Sequence, residues 1–472
     1  MERSKVMALQ KLVKGEVDWH NKVNSNFDEI LKEAEQVAKD TADTVANDKV
    51  PKPVGQSLIE GYLYQQPDGS TILQHRGDRS GKFKYSILVD NGADGTPGAI
   101  EYLDDCYGFT PMTMSSEGVL DAGDWGTTGA ELLECFKPCV IANNSDTPAY
   151  FLRKDDLTKK IDGTAAVLTG EDGDVMIQVS KLYGRVTRVG NKAKVSIMNF
   201  KEYDDCFCFN DIAGEENDYL YRGRYKAGEV VGDSSHVMRS ISNVVPMVSM
   251  TRAAGRSRAK ARGTGYHQNN PYLLFLWEFM FMMLFKTRQS QTALGQGRTG
   301  LPYEGNTGEA CGWSDNKPWI WGNQTGKDGV VFLGVEDFYG NVWEWVDGIV
   351  LNNLTYKLTR DPAKYNDTGD GYEISAPSGL TATANHGKYI TQLQFTNDLG
   401  CLPANSGTSG SGSNTFFCDY MWVAEAVQVA IFGSYWYDGS YAGAFCWALH
   451  FSAGYASSYL GSRLCRKKSV QS

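Results

Sequence analysis

Between residues 17 and 47, Val23, Phe27, Ile30, Ala34, Val37 and Thr41 recur at alternating steps of four and three. That spacing predicts a helix with a short coiled-coil seam. Ala34 and Thr41 fill such a seam weakly, so the helix suits packing against a foreign protein as well as self-association. Pro51-Lys52-Pro53 ends it, since proline cannot continue a helix. From residue 54 to about 165 the apolar runs shorten and are broken by Gly, Asp and Pro, which predicts a small β domain. Residues 174–200 read as two alternating strands around Gly190-Asn191. Thr251 caps a helix through Arg262 that Gly263 closes, and Asn270 with Pro271 opens another to Thr287. Its run Tyr272 to Phe285, apolar except at Glu278, is too short to span a bilayer and reads as a buried helix. The pattern gives an α+β chain in three parts: an N-terminal helical attachment or oligomerisation segment (1–52), a β-rich domain (53–165) and a C-terminal domain with long irregular loops (166–472). Ser406 to Asn414 is a flexible surface loop by its Gly/Ser content.

The apolar run Val427 to Phe432 feeds into a stretch of another kind. Residues 433–463 hold five Tyr, six Ser, five Gly, five Ala, two Trp and two Phe, but one Asp, one Arg and no Lys or Glu. Rigid aromatics on a Gly/Ser background are the composition of a binding surface, because Tyr and Trp bury much area for few frozen torsions. Two half-buried strands with exposed tyrosines would give the same composition.

Charge and cysteine content narrow the picture. A net charge of −10 with 42% apolar residues describes a globular protein and argues against a nucleic-acid surface. The basic residues Arg252, Arg256, Arg258, Lys260 and Arg262 then read as a solvated helix face. The start of the chain has no signal-peptide pattern, which implies synthesis in a cytoplasm and cysteines kept as thiols. Cys206-x-Cys208 and Cys135-x3-Cys139 lack the partners of a zinc site and read as structural thiols. Arg76-Gly77-Asp78 and Gln66-Pro67-Asp68 read as turns.

The segment GVEDFYGNVWEWVDG (334–348), followed by Phe432-Gly433-Ser434-Tyr435-Trp436 and Gly461-Ser462-Arg463, resembles the formylglycine-generating-enzyme branch of the C-type-lectin fold. The resemblance makes 166–472 a C-type-lectin-like domain whose scaffold residues are Gly340, Asn341, Trp343, Glu344, Trp345, Gly433, Trp436, Gly461 and Arg463. Trp343 and Trp345 face one way on an extended segment, while Asn341 and Glu344 can tie loops together. The copper-dependent enzymes of this branch carry two cysteines where this chain has Tyr437 and Ala442, and Cys446 and Cys465 do not match that pattern. The 433–463 stretch is similar to the variable region of phage and prophage tail proteins diversified by retroelements, in which adenine-directed replacement exchanges surface residues. On that resemblance the receptor-binding positions are Tyr435, Tyr437, Asp438, Tyr441, Cys446, Ala448, His450, Phe451, Tyr455 and Tyr459. The implied protein is a virion receptor-binding protein, made in the bacterial cytoplasm, that recognises a protein or glycan receptor on the host surface. It is expected to be no enzyme, to need no metal or cofactor, to enter no membrane and to bind no nucleic acid. Its N-terminal segment is expected to meet other virion proteins and to form a homotrimer. The alternatives are a structural tail or neck subunit and a formylglycine-generating-type oxidase.

Overall fold

The computed structural model describes residues 60–65, 71–76, 81–91, 100–143, 145–383, 387–406 and 419–467. Most apolar runs there alternate with polar positions and are cut by Gly, Asn or Asp before a helix can propagate, so strand dominates. Among the described residues there are four α-helices, and two of them, Ala130–Leu133 and Ser290–Ala293, are single turns. The α+β expectation is therefore corrected to a mainly β chain of several sheets. The expected N-terminal helix, the Pro51-Lys52-Pro53 linker, the Gln66-Pro67-Asp68 turn, most of Arg76-Gly77-Asp78 and loop 407–414 lie outside the described residues.

Two sheets cross the boundary expected at residue 165. Lys84–Asp90 pairs with Lys192–Met198, placing Ser86 opposite Ser196, and Phe136–Ile141 pairs with Asp174–Ser180, placing Cys139 opposite Met176. A strand satisfies its backbone N–H and C=O groups and gains cross-strand side-chain contacts only beside a partner, and here the partners lie on the far side of residue 165. One core runs from Phe83 to Cys465. The hairpin expected around Gly190-Asn191 is present, with Val186 opposite Val195.

Both longer helices begin where the caps place them. Thr251 Oγ1 accepts the Ala254 N–H at 3.2 Å to open Arg252–Ala261 (α1), and Asn270 Oδ1 accepts those of Tyr272 and Leu273 at 2.8 and 3.1 Å to open Pro271–Phe285 (α2). Every residue of α2 is buried. Glu278 is accommodated because burial pushes its carboxyl well above the usual range, and its Oε1 accepts the Trp447 indole N–H at 3.1 Å. The basic face of α1 is not simply solvated: Arg256 forks onto Asp347 at 2.6 and 2.9 Å, Arg252 is buried against the Ile349 and Asn366 carbonyls, and Arg262 reaches Asp174 at 2.5 Å. These arginines fasten the helix to the sheets.

The largest sheet has nine strands. Those that carry the site are Trp343–Asn352 (β1), Lys388–Leu393 (β2), Tyr420–Val423 (β3), Val427–Phe432 (β4), Trp447–Phe451 (β5) and Leu460–Gly461 (β6). They lie in the order β1-β4-β5-β3-β2, with β6 beside β1. Side-chain alternation gives the sheet two faces. Met421, Val423, Phe432, Trp447 and Leu449 enter the main core, while Trp343, Trp345, Val429, Ile431, Cys446, Ala448 and Leu460 form a second cluster.

Candidate functional site

β1 grips both ends of the aromatic stretch. It runs antiparallel to β4, with Glu344 opposite Phe432, and parallel to β6, with Trp343 opposite Leu460. Gly340 N–H donates to the Gly433 carbonyl at 2.7 Å, Trp436 N–H to that of Asn341 at 3.2 Å and Trp343 N–H to that of Tyr459 at 2.9 Å. Gly340 holds φ +80°, and a Cβ there would sit 2.9 Å from the Arg298 carbonyl oxygen, so glycine is required. Asn341 spans the neighbouring loops, its Nδ2 donating to Asp337 at 2.7 Å and its Oδ1 accepting the Glu309 N–H at 2.7 Å.

A buried charge cluster locks this frame. The Glu344 carboxylate accepts from Arg463 Nε and Lys226 Nζ, each at 2.8 Å, and from Asn269 Nδ2 at 2.7 Å. Arg222 lies 3.8 Å away over the faces of Trp277 and Phe338. Burial alone would raise the Glu344 carboxyl, but Arg463, Lys226 and Arg222 outweigh it and bring it down to about 2. Arg463 also donates to the carbonyls of Gly223, Arg224, Glu336 and Asp337, joining segments 223–224 and 336–337 at one guanidinium. All nine expected scaffold residues are buried.

The segment between the clamps lies over the second cluster, with Tyr435, Phe451, Tyr455 and Tyr459 packed on it from outside. Each is half-buried, one side against Trp343 and its neighbours and the other towards solvent. Tyr437 and Tyr441 stand out furthest, 54% and 41% exposed. Ring contacts connect the surface. Tyr435 lies 4.6 Å from Tyr459 and 6.3 Å from Tyr437, the Tyr455 and Tyr459 hydroxyls are hydrogen-bonded, and Phe451 stacks on Tyr455 at 4.2 Å and meets His450 at 3.9 Å. His450 in turn lies 6.3 Å from Trp422, whose ring is 6.5 Å from Tyr441.

Eight of the ten expected positions thus reach the surface. Cys446 and Ala448 do not: both are buried beneath it, and their exchange would alter packing rather than recognition. Conversely, four aromatic residues outside 433–463 belong to the surface. Tyr303, 50% exposed, lies 5.7 Å from Tyr437, while Tyr389, Tyr420 and Trp422 surround Tyr441. In YMWV (420–423) the alternation puts Tyr420 and Trp422 on one face, a signal legible in the sequence.

This surface carries little charge. Burial lowers His450 to about 4, leaving it neutral at pH 7. Burial also raises Asp438 to about 7, against the opposing pull of the Ser434 hydroxyl, which donates to it at 2.9 Å. Among the described residues there is no group of three His, Cys, Asp or Glu side chains able to hold a metal, and no helix is long and apolar enough to cross a membrane. Cys446 and Cys465 lie in different clusters, and burial pushes the Cys465 thiol up to about 12. Compared with known protein families and with curated proteins, the chain matches none.

Proposed function

We propose that the chain is a phage or prophage virion protein that recognises a receptor on the bacterial surface through the aromatic face between the β1 clamps. The observation that carries this reading is the division of labour over 433–463: Gly433, Trp436, Leu460, Gly461 and Arg463 are buried and are bonded to or paired with residues 340–344, whereas the rings of Tyr435, Tyr437, Phe451, Tyr455 and Tyr459 form one connected surface that His450 and Trp422 extend to Tyr441. A fixed frame beneath exchangeable aromatics is what a diversified binding face requires. The kinship with retroelement-diversified tail proteins of C-type-lectin type rests on Gly340 to Trp345 and on the residue types of the stretch. In this reading the N-terminal segment joins the virion and assembles three copies, so that weak single sites act together.

The locus tests the reading. A near-copy of codons 433–465 should stand beside the gene, differing at adenines in codons for the outward residues and matching at Gly433, Trp436, Gly461 and Arg463. If differences fell equally on outward and buried codons, or no near-copy existed, the diversification would be refuted.

A further inference from the structure

We infer that Tyr389, Tyr420, Trp422 and Tyr441 form a subsite for a neutral sugar ring, making the receptor a surface polysaccharide; this rests on the receptor-binding reading above. Three of the four residues come from β2 and β3, outside the 433–463 stretch, so this part of the surface belongs to the sheet itself.

The rings form a built corner. β2 and β3 pair with Tyr389 directly opposite Tyr420, and the ring of Tyr389 stands at 89° to that of Tyr420 with centroids 4.8 Å apart. Two residues along β3, the Trp422 ring stands at 66° to Tyr420 at 5.0 Å. Tyr441 is stacked on Tyr420 at 4.3 Å and 26°. One ring stack is thus flanked by two upright rings, one across the strands and one along them. Gly387 completes the arrangement: a Cβ there would lie 2.3 Å from the Tyr420 ring and 2.7 Å from Trp422 Nε1, so the backbone is pressed against both rings. A side chain at 387 would displace them.

Chemistry selects the ligand. A phosphate- or carboxylate-bearing glycan needs Arg or Lys; residues 433–462 contain neither, and Lys388, next to Tyr389, pairs with Met421 of the main core and so belongs to the strand face opposite Tyr389 and Tyr420. A Tyr/Ser surface also suits a protein epitope, and the proteinase treatment below tells the two apart. The surface offers ring faces and hydroxyls: the tyrosines named, with Ser440, Ser452 and Ser458 exposed. Sugar C–H bonds carry partial positive charge that suits the negative face of an aromatic ring, while hydroxyls exchange hydrogen bonds with tyrosine and serine.

The test uses the full chain and the variants Tyr389→Ala, Tyr441→Ala and Gly387→Ala, with thermal melting recorded for each. Titration against immobilised short oligosaccharides of glucose, galactose and mannose should reveal binding to at least one series, weakened roughly tenfold or more in the variants that melt normally. Attachment to host cells should be lost after periodate oxidation of the cells and survive proteinase treatment, which separates a cell-borne glycan from free sugar binding. Binding to no neutral oligosaccharide, or binding unchanged in every normally melting variant, would overturn the subsite. Attachment that resists periodate and is lost to proteinase would overturn it in favour of a protein receptor and leave the receptor-binding reading standing. Attachment to no cell would overturn both.

Discussion

At residue 344 a carboxylate with no access to water faces two arginines and a lysine. Removing it leaves three buried cations without their common partner, which typically costs about 3–5 kcal/mol. Glu344→Gln should therefore lower the urea midpoint sharply. Its folded-state pKa of about 2 lies below the ordinary 4.5, so its contribution is present above about pH 4.5 and is lost as pH falls towards 2. Asp438 has the opposite sign. Its folded value, raised to about 7, means the folded state favours the proton, so stability is greatest below the ordinary value of 3.8 and falls as pH rises through 7. Denaturant melts at about pH 5 and about pH 8 should show this fall, and Asp438→Asn should flatten it. An unchanged slope in the variant would place the titration elsewhere. Tyr437 and Tyr441 were legible as surface residues from composition. Cys446 and Ala448 were not legible as buried, because residue type alone cannot tell an exchangeable small residue from one that fills the second cluster.

Among elements, β1 does most to fix the site, because it meets one end of the aromatic stretch through β4 and the other through β6. The loop-tying roles of Asn341 and Glu344, just before and within β1, were legible in the sequence, and so were both helix caps and the Gly190-Asn191 hairpin. The sheet partners were not. Tyr389 meets Tyr420 only through the pairing of two strands separated in sequence, and Tyr303 reaches Tyr437 from a loop, so no local pattern announces them. The boundary at residue 165 failed for the same reason, since long-range strand pairing is invisible in a local reading. Trp343→Ala should cost about 3–5 kcal/mol, the usual loss for a large buried ring. Gly340→Ala, forced into left-handed backbone against a carbonyl oxygen, should cost about 1–3 kcal/mol. Gly454→Ala meets nothing within 4 Å and should change stability by less than about 0.5 kcal/mol. Thermal melting of the three checks this order, and an equal loss at Gly454 would contradict the role of β1.

For the molecule as a whole, the proposed assembly implies a homotrimer of the full chain, and light scattering giving a monomer at working concentration would contradict it. The central claim is that recognition and folding reside in different side chains of one stretch. The most direct measurement compares Tyr437→Ala/Tyr441→Ala with Trp343→Ala in the full chain, recording thermal melting and attachment to host cells for each. The two exposed rings should be dispensable for stability and needed for attachment, so the double variant should melt as the parent does and fail to attach. Trp343→Ala should melt at a lower temperature. If the double variant attached normally, or unfolded while Trp343→Ala remained stable, the separation of a binding surface from its supporting frame would be contradicted.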